Sequence, residues 1–254
     1  MRSKVLTKIL FLILSLSLVA CGEGGAGATI NSCVIIDNDY DIDDMQAIPL
    51  VIGKKYVSAI IQSEGYTLPE QGAAAVNQLV NNLPDQPNQR KIPIIVGGKQ
   101  DAAGTEDITY PWLPFFRSMM NLSNGLLSAL PAPYPTDPAY VQKVVGAVSS
   151  CTNVSVLLIG TYTSFINYSP AIANKIDRVV IMGQPIADES SSPGRESFNC
   201  RYDLPACESA MIQLKQFNTF FVDIPRISGC DGADPPDSCY SPSYEMVAGS
   251  GGVG

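Results

Sequence analysis

Short apolar runs rich in β-branched residues alternate along the chain with amphipathic segments. The apolar runs are CVIID (33–37), VSAIIQS (57–63), IPIIVGG (92–98), VSVLLIG (154–160), RVVIMG (178–183) and TFFVDI (219–224). The amphipathic segments are MQAIPLVIGK (45–54), QGAAAVNQLVNNL (71–83) and PAYVQKVVGAVSS (138–150). Strands and helices that alternate in this way predict an α/β fold with an open, largely parallel sheet and flanking helices.

Several of these apolar runs end where a ligand site is expected. IPIIVGG, VSVLLIG and RVVIMG each end in Gly, and the carboxyl ends of strands border the ligand crevice of an open α/β sheet. The run CVIID ends in the same way, but it leads into the acidic segment DNDYDIDD (37–44). We therefore expect this segment at the mouth of the crevice.

The acidic segment contains five aspartates within eight positions. Carboxylates a few ångströms apart repel one another and raise each other's pKa, so such a cluster costs stability unless a cation or a hydrogen-bonded ligand compensates it. The segment therefore predicts a site for a cation or a polar ligand.

Three known patterns compete as explanations of the segment. An EF-hand loop requires Gly and Glu where this chain has Ile42 and Ile48, so that explanation fails. A phosphotransferase of the haloacid-dehalogenase type also places D-x-D after a buried strand, but Asp41 occupies its fifth position instead of Thr or Val. A solvated acidic turn remains an alternative.

The segment IIDNDYDIDD resembles the D-x-D-x-x-x-D-D motif of the inosine-uridine preferring nucleoside hydrolases. Further segments resemble motifs of that family in the same order: VSAIIQSEGYTLPEQGAAAVNQLVNNL, IPIIVGG, SVLLIGTYTSF, RVVIMGQPI and ESFNCRYDLPACESA. The resemblance covers residues 33–210 and implies a Rossmann-like fold. It also implies calcium-dependent hydrolysis of the N-glycosidic bond of ribonucleosides, which gives base and ribose.

The resemblance implies a calcium site at the end of the first strand. Asp39 would be a calcium ligand and the general base, Asp44 a second ligand, and the backbone carbonyl of Thr163 a third. Asp37 would support the loop from behind. These are oxygen ligands, which Ca²⁺ prefers.

The resemblance also implies a set of substrate contacts. Asp43 would bind the ribose 2′-hydroxyl, Asn199 and Met182 would contact the sugar, and Glu196 would lie near the 5′-hydroxyl. A small-molecule nucleoside is the expected partner, and homo-oligomerisation stays open. A non-catalytic nucleoside- or glycan-binding surface lipoprotein on the same fold is the alternative function, because fold does not determine function.

The chain departs from the family pattern at several positions. Tyr40 and Asp41 replace Pro-Gly, Ser164 replaces Asn, and Gln184 replaces the second Gly of Met-Gly-Gly. The family also has a calcium-binding aspartate near its C-terminus, and no such motif precedes Gly254. We therefore expect that the domain, residues 31–254, is incomplete at its C-terminus, and a shortened homologue with an incomplete metal site is the alternative.

The N-terminal residues predict export. Residues 1–20 combine a basic start with a short apolar stretch, as in a signal peptide. LVAC resembles a bacterial lipobox, which implies lipid attachment at Cys21 and a Gly-rich tether over residues 21–30. This predicts an exported, membrane-anchored lipoprotein that faces the periplasm or the cell surface. An ordinary signal peptide that contains a Cys is the alternative.

Charge and composition exclude several function classes. Removal of residues 1–20 leaves 13 basic residues against 24 acidic ones, a formal charge of −11. Nucleic acid is therefore excluded as an expected partner. The chain has no His, which excludes every catalytic scheme that needs an imidazole.

Six cysteines follow Cys21, an even number that suits a disulfide-permitting compartment. Six cysteines allow fifteen connectivities. We predict two local bridges, Cys200–Cys207 and Cys230–Cys239, and a third between Cys33 and Cys151 at the starts of neighbouring strands.

Overall fold

The computed structural model of the chain describes residues 30–84, 91–100, 132–182 and 198–222. The strands are β1 (Ile30–Asn38), β2 (Val57–Gln62), β3 (Ile94–Val96), β4 (Cys151–Leu158), β5 (Ile176–Met182) and β6 (Asn218–Val222). The helices are α1 (Ile42–Ile52), α2 (Pro69–Asn81), α3 (Tyr140–Ala147), α4 (Phe165–Tyr168), α5 (Phe198–Tyr202) and α6 (Leu204–Leu214), with a 3₁₀ helix over Ser169–Lys175. Strand β1 begins at Ile30, the last residue of the predicted tether.

The six strands form one sheet in the order β3-β2-β1-β4-β5-β6, and each described pair of neighbours is parallel. The chain builds outward from β1 to β3 and then returns to β4 beside β1. This reversal is the topological switch point of a Rossmann-type sheet, where ligands bind at the carboxyl ends of the strands. The predicted α/β fold with an open parallel sheet is confirmed.

Helices cover both faces of the central strands. Every residue of β2 is buried, as expected for a parallel strand with helices on both sides. Helix α2 packs closely because its buried residues are small: a Cβ at Gly72 would lie 2.3 Å from Thr67 Oγ1. Two apolar clusters result, one containing Ile35 and the other Ile36. These neighbours point to opposite faces because side chains alternate along a strand.

Two of the three predicted disulfides are confirmed. Cys33 and Cys151 join β1 to β4 with a Cα–Cα distance of 5.9 Å, and Cys200 and Cys207 join α5 to α6 at 5.1 Å. Crosslinking a loop of ~100 residues stabilises a fold by about 5 kcal/mol in the chain-entropy description. The first bridge therefore strengthens the pairing of the two strands that flank the switch point. The predicted bridge Cys230–Cys239 lies outside the described residues, as does Cys21.

The last strand differs from the central ones. Phe220, Phe221 and Val222 of β6 are all exposed, and β6 is an edge strand of the described sheet. No helix among the described segments is long and apolar enough to cross a membrane.

Candidate functional site

The carboxyl end of β1 carries three buried polar residues in a row, Asp37, Asn38 and Asp39. Asp37 Oδ1 accepts a hydrogen bond from Ser63 Oγ at 2.6 Å. Asn38 Nδ2 donates to the Ile61 carbonyl oxygen at 2.8 Å, which ties β1 to β2. Asp39 begins the loop beyond the strand, so its carboxylate lies at the edge of the sheet where the switch point opens.

Helix α1 begins inside the acidic segment. Asp41 is its N-cap: its side chain accepts a hydrogen bond from the Ile42 N–H at 2.6 Å and also bonds the Asp44 N–H. In return, Asp44 Oδ2 accepts hydrogen bonds from the N–H groups of Asp41 at 3.0 Å and Asp39 at 3.2 Å. This reciprocal capping box satisfies N–H groups that have no partner within the helix. Part of the negative charge is thereby offset by the positive end of the helix dipole.

Tyr40 connects the strand to the helix in an unusual conformation. Its φ is 60°, in the left-handed region that residues other than glycine seldom adopt. Its ring is buried in the apolar cluster around Ile36 and Ile48, and this burial offsets the strain. Proline cannot adopt this φ. The Pro-Gly of the nucleoside hydrolase motif could therefore not follow the same backbone path at position 40.

Burial raises the pKa of the site carboxyls. It raises the pKa of Asp39 to about 7, a shift that the Tyr66 N–H hydrogen bond reduces and the charges of Asp41 and Asp43 increase. Burial, followed by the charges of Asp39 and Asp43, raises the pKa of Asp44 well above its usual value. Burial also raises the pKa of Asp37 to about 7. The fold thus holds several carboxyls together where each disfavours the ionised form of the next.

The loop after β4 lies against the loop after β1. A Cβ at Gly160 would sit 2.5 Å from the Asn38 carbonyl carbon and 2.6 Å from the Asp39 nitrogen. Only glycine allows the two backbones to approach this closely. Thr161 Oγ1 then donates a hydrogen bond of 2.5 Å to the Glu64 carbonyl oxygen in the loop after β2. Three loops therefore converge at the switch point.

A buried chain of hydroxyl groups links the same loops. Ser63 Oγ lies 2.6 Å from both Asp37 Oδ1 and Ser164 Oγ, and the Gly98 N–H donates to Ser164 Oγ at 2.8 Å. These bonds connect the ends of β1, β2, β3 and β4. They place Thr163, which precedes Ser164, on the same edge of the sheet as the aspartates.

Thr163 itself is 5% exposed. Its hydroxyl donates to Asp203 Oδ2 at 2.6 Å, and its carbonyl oxygen accepts from Asn167 Nδ2 at 2.9 Å. A Cβ at Gly98 would lie 3.1 Å from this carbonyl oxygen, so the β3 loop lies directly against it.

Some of the residues predicted to contact the substrate lie at the same edge of the sheet. Asp43 is exposed in the first turn of α1, and Met182 ends β5. Asn199 is buried, and its Nδ2 donates to the Ile159 carbonyl oxygen at 2.8 Å, directly after β4. Glu196 lies outside the described residues, as do Gly183 and Gln184.

Some of the described residues could serve as ligands of a calcium ion. Asp44 Oδ1 is buried and has no hydrogen-bond partner among the described residues, so one carboxylate oxygen remains for a ligand beside Asp39. Carboxylate and carbonyl oxygens are the donors that a hard cation prefers. Nowhere in the described part of the chain do three His, Cys, Asp or Glu side chains form a group that could hold a metal ion. A calcium site there would rest on Asp39, Asp44 and the Thr163 carbonyl.

Sequence reasoning assigned no role to several residues that build this site. Gly65 is one: a Cβ there would lie 2.1 Å from Asp39 Oδ2. Ser63 and Asp203 are two others. Asp203 Oδ1 accepts from the Ala206 N–H at 3.2 Å and caps α6. An Asp two residues before a Pro, as in DLP, is the sequence signal for such a cap.

The raised pKa values predict how stability depends on pH. A carboxyl whose pKa is 3.8 in the unfolded chain and about 7 in the fold contributes stability that is fully present below pH 3.8 and lost as pH rises through about 7. We therefore expect the Tm of the calcium-free protein to fall between about pH 4 and pH 7. A cation that binds this site would raise the Tm more at the higher pH, because it would compensate the ionised carboxylates. Thermal unfolding with and without chelator measures both effects.

Asp44→Asn is the matched variant for this measurement. It removes one ionisable group from the pair but keeps an oxygen for the capping box, so the decrease in Tm with pH should become smaller. A calcium-free Tm that stays level or rises over this pH range would contradict the description of the site.

The fold and the site together define a Rossmann-like α/β protein with a carboxylate-rich crevice at its switch point. Three solved structures with this fold are nucleoside hydrolases. One is a purine-preferring ribonucleoside hydrolase from Gardnerella vaginalis, with 18% identity and a TM-score of 0.56 over 76% of this chain and 60% of that protein. Another is an inosine-uridine preferring nucleoside hydrolase from Bacillus anthracis, with 14% identity and a TM-score of 0.54 over 80% of this chain and 68% of that protein.

A third is an inosine-guanosine nucleoside hydrolase, with 19% identity and a TM-score of 0.56 over 76% of this chain and 60% of that protein. No model of a known protein family matches the sequence, and no curated protein does. The chain spans about 60% of the length of two of the three structures. The chain thus has the nucleoside hydrolase fold, as the resemblance of its motifs implied.

Proposed function

We propose that this chain hydrolyses the N-glycosidic bond of ribonucleosides to give base and ribose, with Ca²⁺ as its cofactor. The observation that carries the proposal is the buried Asp39–Asp44 pair at the switch point of a nucleoside hydrolase fold. A protein that used this crevice for packing alone would gain nothing from two adjacent buried carboxylates, because burying unpaired charge is costly. Perturbed carboxyls in a cleft are typical of catalytic sites.

Asp39 is the general base of the proposed reaction. It lies directly after β1, at the carboxyl edge of the sheet where ligands of such folds bind. The Tyr66 N–H bond to Oδ2, at 2.9 Å, fixes the side chain. Asp39 can therefore receive the proton of a water that attacks the anomeric carbon of the ribose.

Calcium would be held by Asp39, Asp44 and the Thr163 carbonyl. When bound, it supplies positive charge that compensates the carboxylates and favours deprotonation of water. In the capping box, Asp44 Oδ2 accepts hydrogen bonds from backbone N–H groups. Asp44 Oδ1 is therefore left to bind the cation. Asp37 supports this loop through Ser63.

The remaining predicted residues recognise the sugar. Asp43, exposed at the crevice, accepts a hydrogen bond from the ribose 2′-hydroxyl. Asn199 and Met182 contact the ribose, and Glu196, which lies outside the described residues, is the proposed partner of the 5′-hydroxyl. A site built to hydrogen-bond a substrate hydroxyl discriminates against analogues that lack the hydroxyl.

The proposal is tested by base release from inosine, uridine and their 2′-deoxy analogues. We expect the ribonucleosides to be cleaved and the 2′-deoxynucleosides to be cleaved much more slowly, and Asp43→Ala should narrow this difference. Equal rates for both sugars would contradict the role of Asp43. Nucleoside binding without any cleavage would contradict the enzyme and favour a non-catalytic binding lipoprotein on the same fold.

We also propose that the chain is exported and anchored by a lipid on Cys21, with residues 21–30 as a tether to a domain of residues 31–254. The support is the lipobox-like LVAC at the end of the apolar stretch. Mass spectrometry of the N-terminal peptide tests this proposal, and an unmodified Cys21 or an uncleaved N-terminus would contradict it.

A further inference from the structure

Thr163 is held from two directions by side chains that come from different elements. Asp203, the N-cap of α6, accepts the hydrogen bond of its hydroxyl at 2.6 Å. Asn167, in α4, donates to its carbonyl oxygen at 2.9 Å. Thr163 and Asp203 are 5% and 8% exposed, so water competes little for either bond.

The direction of the Thr163 hydroxyl proton is determined by its neighbours. Thr161 Oγ1 lies 3.4 Å from Thr163 Oγ1, but the Thr161 proton is already donated to the Glu64 carbonyl at 2.5 Å. Asp203 Oδ2 accepts the hydrogen bond of the Thr163 hydroxyl at 2.6 Å. The Thr163 proton therefore points to Asp203.

Asp203 is itself fixed in place. Its other oxygen, Oδ1, accepts from the Ala206 N–H at 3.2 Å, at the start of the 11-residue helix α6. The disulfide between Cys200 and Cys207 spans this start. The acceptor that faces Thr163 is therefore part of a crosslinked, capped helix end rather than of a free loop.

We propose that Asp203 is a positioning residue for the cation site: it locks the Thr163 side chain and so fixes the direction of the Thr163 carbonyl. The inference rests on the proposed function, in which that carbonyl is a calcium ligand. Threonine is stiff about χ1, so anchoring its hydroxyl also restrains its backbone. The bond from Asn167 occupies one lone pair of the carbonyl oxygen and leaves the other for a cation.

The test is a double-mutant cycle on calcium affinity, measured by calorimetric titration of the full chain. Asp203→Asn keeps an oxygen for the α6 cap but puts an amide NH₂, which cannot accept the Thr163 proton, in place of Oδ2. Thr163→Val removes the hydroxyl but keeps the shape and the backbone carbonyl. We expect each variant to bind calcium about 10-fold more weakly, in the range typical for residues that orient metal ligands. The double variant should be no weaker than either single one, because both remove the same link.

Activity provides a second readout. At low calcium each variant should show a reduced kcat, and high calcium should restore kcat toward the parent value with little change in KM. Asp177→Asn is the matched control, because it removes the charge of an exposed aspartate that pairs with Arg178 at the opposite end of β5. It should leave both calcium affinity and kcat unchanged.

Two outcomes would overturn the inference while the proposed function stands. One is an Asp203→Asn variant with a lower Tm but the calcium affinity of the parent, which indicates a role in folding alone. The other is a double variant about 100-fold weaker than the parent, which indicates independent effects. A parent that neither binds calcium nor cleaves nucleosides would instead contradict the proposed function, and this inference with it.

Discussion

Asp39→Asn lowers kcat for ribonucleoside hydrolysis by about 10²- to 10⁴-fold, the usual cost of losing a positioned general base. This is the largest effect that we expect from a single substitution. Asparagine has the same size and can still accept the Tyr66 N–H, so the loop after β1 should keep its path. What it loses is the charge that receives the proton of the water. Weaker calcium binding should add to the loss, and the measurement is base release under saturating nucleoside and calcium.

Asp41→Asn is the matched control for this experiment. It removes a charge from the same acidic segment, but asparagine is as good an N-cap as aspartate, so helix α1 should still begin at the same place. Most of the activity should therefore remain. A loss at Asp41→Asn as large as that at Asp39→Asn would mean that the net charge of the segment matters rather than the base, and it would contradict the assignment of Asp39.

Gly65→Ala is expected to lower kcat by about 10²-fold, the loss that a displacement of ~1 Å at a catalytic group produces. A Cβ at this position would lie 2.1 Å from Asp39 Oδ2 and 2.6 Å from Asp39 Cβ. The short, buried Asp39 side chain cannot rotate away without breaking its bond to the Tyr66 N–H. The carboxylate must therefore shift, although no ionisable group has been changed. Steady-state kinetics and calcium titration of the variant test this prediction.

Gly146→Ala serves as the control for the added methyl group. Gly146 lies within α3, and a Cβ there would meet nothing within 4 Å. Alanine favours the helix by roughly 0.5–1 kcal/mol over glycine, so this variant should unfold at a higher temperature with unchanged activity. Gly65→Ala with parental kcat would show that Asp39 is not confined as the structure describes.

The sequence predicted the fold because its strongest signals are local. Apolar runs such as VSAIIQS correspond to strands within a few residues, and parallel pairing follows from the alternation of strand and helix. The position of the acidic segment could also be predicted, since Asp39 directly follows a buried strand. Cys33–Cys151 could be predicted from the expected starts of neighbouring strands, although the bridge spans 118 residues.

The supporting contacts could not be predicted in the same way, because they join residues that are distant in sequence. Ser63 and Ser164 are separated by 101 residues, and no periodicity indicates that their hydroxyls meet. Asp203 reaches Thr163 only because α6 packs behind the loop after β4. Asp44 caps α1 with one carboxylate oxygen and leaves the other free. This arrangement depends on the left-handed backbone at Tyr40, which neither the composition nor a motif predicts.

The central claim is that the buried Asp39–Asp44 pair forms a cation site that supports hydrolysis. Its most direct test is base release from inosine and uridine by the full-length protein as free calcium is varied, first under chelation and then with calcium restored. We expect that chelation abolishes hydrolysis and that added calcium restores it, with base and ribose released in equal amounts. Hydrolysis that continues unchanged under chelation, or no hydrolysis at any calcium concentration, would contradict it.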